Sequence, residues 1–241
     1  ERRKYINSVI SQFDRQYLDE VIRYNRVLVQ RNKMLKDMDV KGYFSADLID
    51  VLDDQLVTIG EPIFKKRKDF VDKLIPIFQK YYTAISSSEE SVKLVYQSHL
   101  EGEDFKVLLG NSFSKDRALQ YTSVGIHKDD LTLMLNDHPI KKEGSQGQQK
   151  TYLIALKLAQ FEFMRDISSV RPILLLDDIF DKLDINRVEN FIKLVSDDGF
   201  GQIFITDTNK GRLNEILDQL HSGYKLFGVD AGTVSEVAGK E

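Results

Sequence analysis

Two long amphipathic patterns occupy the first third of the chain. From Asp14 to Met38 apolar residues recur three or four positions apart, and only Arg31 interrupts them. Residues at this spacing share one face of an α-helix, so each pattern predicts a helix with a narrow apolar seam. A turn near Asp39 to Gly42 separates the two patterns and predicts an antiparallel helical hairpin. The first seam comprises Tyr17, Val21, Tyr24, Leu28, Leu35 and Met38, and the second comprises Leu52, Leu56, Ile59, Ile63, Phe70, Leu74, Ile77 and Tyr81.

Two prolines lie inside the second apolar pattern. Pro62 and Pro76 lack the backbone N–H that the helix ladder uses. We therefore expect each of them to kink the helix or to begin a new one.

The hydrophobic period changes after Ser86-Ser87-Ser88. Val92, Leu94 and Tyr96 alternate with polar residues, as the residues of a strand do. We place a domain boundary at this change, with a helical hairpin arm in residues 1–88 and a second domain in residues 89–241. A short helix around Lys115 to Tyr121 follows the first strand.

The second domain alternates strands with helices. Leu131, Leu133 and Leu135 alternate up to Asn136-Asp137, a pair that favours a hairpin turn. The helix from Gln146 to about Ile167 is apolar on nearly all sides, so we expect it to pack deep in the fold. This alternation predicts a parallel sheet covered by helices. The later elements are a buried strand at Ile173 to Leu176, a helix at Asn186 to Val195, a buried strand at Gln202 to Thr206, a helix at Asn209 to Leu220, and strands at Tyr224 to Val229 and Thr233 to Val237.

Composition narrows the class of protein. The 241 residues are 41% hydrophobic and 30% charged, values typical of a globular protein with a well-charged surface. Cysteine is absent, which excludes disulfides and thiolate metal sites. No apolar run approaches the roughly 20 residues that span a bilayer, so we expect no membrane association and a cytoplasmic location.

The overall charge counts mildly against a nucleic-acid partner. The formal net charge is −4, so any contact with DNA must come from local basic patches. The densest basic runs are Arg2-Arg3-Lys4 and Lys65-Lys66-Arg67-Lys68. Such runs are usually solvated helix faces, and contact with the DNA backbone is the alternative.

Candidate chemistry is concentrated between Gly144 and Asp184. Asp177 and Asp178 directly follow the buried strand, at the end of a parallel strand where α/β proteins hold ligands. Two adjacent carboxylates repel each other unless a cation lies near, which favours a metal site; helix-capping acids are the alternative. The polar segment 144–149 precedes a helix, where unpaired N–H groups can bind an anion or an ordinary N-cap can suffice.

His127 beside Asp129 and Asp130 offers a further metal-binding pattern. A single His-x-Asp-Asp sequence has low specificity for metals, so we favour a structural role or a role at an interface.

The segment resembles the ATP-binding-cassette group of ATPases in three places. Ser145-Gln146-Gly147-Gln148 is similar to the signature loop, Ile173 to Asp178 to the Walker B strand, and Asp181-Lys182-Leu183-Asp184 to the D-loop. The resemblance implies an α/β P-loop ATPase head with an inserted α-helical hairpin arm.

Within that group the chain resembles the RecF family over its whole length. Gly125 to Asp130 is similar to the family's Gly-Pro-His-Arg-Asp-Asp and departs from it at the second and fourth residues. The run Tyr24 to Asn32 resembles Tyr-x-Arg-x-Leu-x-Gln-Arg-Asn. Asp54-Gln55-Leu56, Gly60 and Arg67 also match family positions.

The resemblance implies a role for each matched residue. Asp177 would hold Mg²⁺ through water, and Asp178 would take the place of the Glu that orients the attacking water in related ATPases. Because Asp is one methylene shorter than Glu, slow hydrolysis is expected. The signature loop would cap ATP held by a second subunit, so that ATP joins two heads. The residues expected to contact nucleotide are Ser145, Gln146, Gly147, Gln148, Asp181, Asp184 and Thr206, the last being the nearest substitute for the family's γ-phosphate-sensing His.

The sequence contains no Gly-x-x-x-x-Gly-Lys-Ser/Thr, the loop that cradles phosphates in this group. We therefore expect the chain to be the C-terminal part of a longer protein and to be inactive alone, with weak DNA-dependent ATPase activity in the whole protein.

The resemblance implies a recombination mediator in DNA replication and repair. Such a protein acts in gap repair, RecA loading and the SOS response, binds single-stranded and gapped duplex DNA, forms an ATP-dependent homodimer and has a RecR-like partner. The alternatives are a chromosome ATPase of the structural-maintenance type, which the short arm disfavours, and a non-enzymatic helical interaction scaffold.

Overall fold

The computed structural model of the chain describes residues 2–41, 46–87, 90–168, 172–196, 199–208 and 223–240. Packing divides the chain into two compact units. Unit 1 comprises Glu1–Pro76 and Lys93–Met134, and unit 2 comprises Ile77–Val92 and Leu135–Glu241. The domain boundary between 88 and 89 stays a prediction, since both residues lie outside the described ranges.

The described elements follow the predicted order with three additions: a helix at the start, a 3-10 turn and a one-turn helix after the third strand. The helices are α1 (Arg2–Phe13), α2 (Arg15–Lys41), α3 (Ala46–Ser86), α4 (Phe105–Leu119), α5 (Ile140–Glu143), α6 (Gln146–Ile167) and α7 (Ile185–Val195), with a 3-10 turn at Ile126–Lys128. The strands are β1 (Val92–Gln97), β2 (Asp130–Leu135), β3 (His138–Pro139), β4 (Leu174–Asp177), β5 (Ile203–Thr206), β6 (Tyr224–Asp230) and β7 (Thr233–Lys240). The predicted helix at Asn209 to Leu220 lies outside the described residues.

The predicted helical hairpin is confirmed. Three contacts join α2 to α3: Tyr17 with Arg67, Tyr24 with Gly60, and Arg31 with Asp53. Positions advance along α2 as they recede along α3, so the helices are antiparallel. Most of the predicted seam is buried, whereas Val21, Leu28, Leu52 and Ile77 are only half-buried.

Gly60 on α3 faces two aromatic rings of unit 1. A Cβ atom there would lie 3.1 Å from Tyr24 Cε2 and 2.8 Å from Phe105 Cε1. Because any larger side chain would collide with both rings, glycine is required for this packing.

The structure adds one helix, lengthens another and excludes one of the two alternatives given for Pro62 and Pro76. The helix α1 was not predicted, although Ile6, Val9 and Ile10 are its buried face and have helical spacing. The helix predicted at Lys115 to Tyr121 instead spans Phe105–Leu119, because Asp104 caps it by accepting a hydrogen bond from Val107 N at 3.0 Å. A new helix does not begin at either proline, since α3 continues through both.

Arg31 belongs to the buried seam that it was predicted to interrupt. Its side chain is fully buried, with Nε 2.5 Å from Asp53 Oδ1 and Nη1 2.7 Å from Asp116 Oδ2. Nη1 also donates to Thr122 Oγ1 at 3.0 Å, and Asp116 accepts from Ser123 N at 2.8 Å. A charge at a seam position is tolerated here because carboxylates from α3 and α4 surround it.

The basic run on α3 is largely paired within unit 1, although its first residue, Lys65, is exposed. Arg67 is 3% exposed and donates to Asp129 Oδ2 at 2.6 Å and to Ile126 O at 2.8 Å. Its neighbours Lys66 and Lys68 form ion pairs with acidic residues of unit 1. Three of the four cations of this run are thus paired within unit 1, and contact of the run with DNA stays a prediction.

Two arginines of the N-terminal basic run also bind acceptors within unit 1. Arg2 forms an ion pair with Asp130, and Arg3 Nη1 donates to Asp129 O at 2.8 Å. Both arginines therefore fix α1 against the start of β2.

Both ring nitrogens of His127 are occupied, which favours the structural role. Nε2 lies 3.0 Å from Thr122 O, an atom that can only accept, so Nε2 carries the proton. Nδ1 then accepts from the Tyr24 hydroxyl at 3.1 Å. Burial, with the cations of Lys128 and Arg3 nearby, lowers the pKa of His127 to about 4.

His127 should make the chain less stable below pH 6.5. The unfolded imidazole takes up a proton near pH 6.5, whereas the folded one stays neutral until about pH 4. The contribution of His127 to the free energy of unfolding is therefore fully present above pH 6.5. Between pH 6.5 and 4 this free energy falls by about 1.4 kcal/mol for each pH unit. Urea unfolding at pH 7.5 and 5.5 checks this, with His127→Gln as the reference, because glutamine can make both hydrogen bonds without titrating. An equal loss in both proteins contradicts the assignment.

The sheets are small. The first has the order β1-β2-β3, and the hairpin turn between β2 and β3 is confirmed by positive φ angles of 48° at Asn136 and 66° at Asp137. Strand β4 pairs in parallel with β5, as predicted, and β6 pairs antiparallel with β7.

The expectation that β4 and β5 are fully buried is wrong. Leu174 and Leu176 are buried, but Leu175 is 73% exposed and Phe204 on β5 is 50% exposed. Helix α6 likewise exposes Leu153 on one side, although the other apolar residues predicted to pack are buried. In both elements one face packs and the other stays open.

Candidate functional site

The carboxyl end of β4 places two of the predicted site residues together. The register pairs Asp177 with Thr206 on β5, and the Thr206 hydroxyl donates to Asp177 Oδ1. Asp178 follows with a φ of 48°, and its N–H donates to Thr206 O at 3.2 Å. Both aspartates are exposed, so their carboxylates are available to a ligand.

Helix α6 begins with a capping box. Ser145 Oγ accepts from Gln148 N at 3.2 Å, and Gln148 Oε1 accepts from Ser145 N at 2.7 Å. The N–H of Gln149 donates to Ser145 O at 2.9 Å. Two N–H groups of the first turn, those of Gln146 and Gly147, have no intrahelical acceptor. The ordinary N-cap is therefore present, and binding of an anion by the two remaining N–H groups stays a prediction.

The segment predicted as the D-loop lies against the start of α6. Asp184 caps α7 by accepting from Arg187 N at 3.0 Å, while Lys182 has a φ of 65°. A Cβ atom on Gly147 would lie 3.2 Å from Lys182 O, so glycine permits the approach of the two segments. Asp181 is exposed in the turn between β4 and α7.

Lys150 connects α6 to the end of β4. Its Nζ donates to Asp178 O at 2.8 Å. Within unit 2, segment 144–149 thus approaches segment 181–184 at Gly147, and Lys150, just after the first segment, binds Asp178.

Arg187 and Glu90 are central to the site, and the sequence analysis missed both. Arg187 Nη1 donates to Thr151 Oγ1 at 3.1 Å on α6, and its Nε lies 3.2 Å from Asp184 Oδ2. Glu90 Oε1 accepts from Gln148 Nε2 at 2.7 Å. The spacing of Asp184 and Arg187 on one helix was a usable signal, whereas the contact with Glu90 is purely tertiary.

Glu90 also binds the C-terminal part of α3. Its Oε2 accepts from the Tyr82 hydroxyl at 2.6 Å. Burial, reinforced by this carboxylate, raises the pKa of Tyr82, so the tyrosine remains a hydrogen-bond donor. One carboxylate therefore links α3 to the capping box of α6.

The donor set fits Mg²⁺ bound in part by other ligands. Among the described residues there is no group of three His, Cys, Asp or Glu side chains that could hold a metal. Mg²⁺ is commonly held by one or two carboxylates with water and substrate phosphates. The exposed Asp177 carboxylate at a strand end meets that requirement.

In the part of the chain that the structure describes, no helix is long and apolar enough to cross a membrane.

Known proteins resemble the chain over nearly its full length. It is 52% identical over 228 residues to the DNA replication and repair protein RecF of Flavobacterium johnsoniae, covering 95% of this chain and 64% of the relative. It is 49% identical over 241 residues to the protein of the same name from Bacteroides fragilis, again covering 64% of the relative. The chain thus spans about 64% of the length of these curated relatives. No protein-family model matches it.

A solved structure agrees with the sequence comparison. The structure described as the recombination mediator protein RecF-ATP in the RecFOR pathway superposes with a TM-score of 0.78 at 31% identity, covering 98% of this chain and 62% of that one. A second RecF structure, with ATPrS, gives 0.77 at 30% identity. The predicted fold class, part of an α/β ATPase head with a helical hairpin arm, is confirmed.

Proposed function

The chain belongs to the RecF family, and from this membership we propose that the full-length protein is an ATP-dependent DNA-binding recombination mediator in DNA replication and repair. The observation that carries the proposal is the junction of segments 144–149, 177–178 and 181–184 at the end of β4. A helix start, two carboxylates and a D-loop-like turn near one another are among the parts that an ATP-driven dimer of heads requires.

The two aspartates of this junction would have separate roles, one in binding Mg²⁺ and one in orienting water. Asp177 would hold Mg²⁺ through water, with the Thr206 hydroxyl fixing the rotamer of its carboxylate. Asp178 would accept a hydrogen bond from a water molecule and orient it. Its backbone is held on two sides, by Lys150 at its carbonyl and by Thr206 at its N–H, which limits movement of the carboxylate.

Ser145, Gln146, Gly147 and Gln148 would form the surface that faces the second subunit. The N–H groups of Gln146 and Gly147 point out of the helix start and would donate to an anion there. Asp181 and Asp184 would stand at the same surface. When bound, ATP with Mg²⁺ supplies the phosphates that complete this contact.

The proposals on substrates, partner, cellular role and location rest on membership of the family. We propose single-stranded and gapped duplex DNA as substrates, a RecR-like protein as partner, RecA loading in the SOS response, and a cytoplasmic location. A chromosome ATPase is the weaker candidate, since the 27 residues of α2 give an arm of only about 40 Å.

ATP-dependent dimerisation of the full-length protein tests the proposal. Light scattering should show a monomer without nucleotide and a doubled mass with ATP and Mg²⁺. The 241-residue chain alone should neither dimerise nor bind ATP tightly, because it lacks the phosphate-cradling motif. A full-length protein that binds ATP and remains monomeric contradicts the proposal, as does micromolar ATP affinity of the chain alone in calorimetry.

A further inference from the structure

A groove lies between the two hairpin helices on their solvent side. Its volume is about 490 Å³, enough for a few side chains of a peptide. The lining residues come from one stretch of each helix within unit 1. They are Arg23, Arg26, Val27 and Gln30 from α2 and Val51, Asp54, Gln55, Thr58 and Ile59 from α3.

Two arginines of the groove have no ionic partner. Arg23 and Arg26 are exposed, and neither forms an ion pair or side-chain hydrogen bond with any residue that the structure describes. Their spacing of three places both on one helix face. The guanidinium groups of Arg2, Arg31 and Arg67, by contrast, are paired with carboxylates of unit 1.

The opposite wall is polar but not cationic. Asp54 lies there and pairs with Lys106 Nζ at 2.6 Å. The side-chain amides of Gln30 and Gln55 are without hydrogen-bond partners in the described ranges, so they can bind a ligand's N–H and C=O groups. Val27 and Ile59, each 8% exposed, supply apolar surface at the base.

We propose that this groove binds an acidic peptide segment of a partner protein. One carboxylate of the segment binds Arg23 and Arg26, whose planar guanidinium groups suit bidentate pairing. An adjacent apolar side chain packs on Val27 and Ile59, and Gln30 and Gln55 bind the peptide backbone. The site is distinct from the nucleotide site, since all of its residues belong to unit 1.

The lining favours a peptide over nucleic acid. A DNA strand carries a phosphate at every nucleotide, and phosphates filling the groove would meet the Asp54 carboxylate on the far wall. The lining contains neither lysine nor an aromatic ring on which a base could stack. A peptide with one acidic side chain places its negative charge on the arginine wall only.

Peptide display on the full-length protein tests the inference. Peptides selected from a random dodecamer library should carry Asp or Glu next to a large apolar residue. A synthetic, fluorescently labelled copy of the commonest sequence is then titrated by anisotropy. Arg23→Gln/Arg26→Gln should weaken binding about tenfold or more, since removing a charged hydrogen-bond partner costs at least about 1.4 kcal/mol.

The matched control is Arg15→Gln/Lys33→Gln. It removes two exposed cations from the same helix outside the groove, and it should leave the affinity for the peptide unchanged. Selected peptides without acidic residues overturn the inference, as does equal weakening by the two double variants. Displacement of the peptide by a 20-nucleotide single strand, lost in Arg23→Gln/Arg26→Gln, would assign the groove to nucleic acid instead. ATP-dependent dimerisation serves as the test of correct folding in both variants.

Discussion

Replacing Arg31 by methionine is expected to lower the free energy of unfolding by about 3–5 kcal/mol, the cost of breaking a buried ion pair from one side. Methionine keeps much of the side-chain volume and removes the charge. Asp116, which is fully buried, and Asp53, whose side chain is 10% exposed, would then lose their shared cation. Urea unfolding of the chain at pH 7.5 measures the effect.

Lys68→Met provides the matched control for Arg31→Met. Lys68 lies on α3 and pairs with Glu101, but both side chains of this pair are about half exposed. Such a pair is worth about 1 kcal/mol at most. If Arg31→Met costs no more than Lys68→Met, the Arg31 network contributes no more than a surface pair.

Arg31 also shows what a periodic pattern leaves undecided. The three-four spacing placed Arg31 on the apolar face of α2, yet hydrophobicity alone treated the arginine as an interruption. The carboxylates that neutralise it come from α3 and α4, 22 and 85 residues away. Charge pairing at such separations is a tertiary property, so the sequence indicates the position but not the partners.

Local signals account for the parts that were predicted well. The starts of α6 and α7 follow from Ser145 and Asp184, because an N-cap side chain and the backbone N–H from which it accepts lie within three residues. The Asn136-Asp137 turn is decided within four residues in the same way. The exposure of Leu175 depends instead on what covers each face of a two-stranded sheet, and four consecutive aliphatic residues carry no information about that.

Local signals also pointed to the candidate residues of the site, but not to the contacts between them. Asp177, Asp178 and the 144–149 segment stand out by their place after a strand and before a helix. Their mutual contacts, through Lys150, Arg187 and Glu90, join residues far apart in sequence and were not foreseen. Candidate residues could therefore be proposed from sequence, whereas the side chains that contact them could not.

Asp178→Asn in the full-length protein is expected to keep ATP binding and to slow hydrolysis about a hundredfold or more, as loss of a water-orienting base does. Asparagine tolerates the left-handed backbone at this position, where φ is 48°, so the fold should be unchanged. Because the nucleotide persists, an ATP-bound dimer should accumulate and be visible by light scattering. Single-turnover hydrolysis and calorimetric ATP binding separate the two effects.

Ser145→Arg should block dimerisation, whereas Asp178→Asn should block hydrolysis. Ser145 is exposed at the start of α6, and a bulky cation there would obstruct a second subunit while leaving ATP binding by the monomer intact. Ser145→Ala is its control, since alanine also removes the cap, at about 1 kcal/mol, without adding bulk. Ser145→Arg should stay monomeric with ATP present, and Ser145→Ala should dimerise. If Ser145→Arg dimerises normally, or if both variants fail alike, residues 144–149 act only as the helix cap that their hydrogen bonds already form.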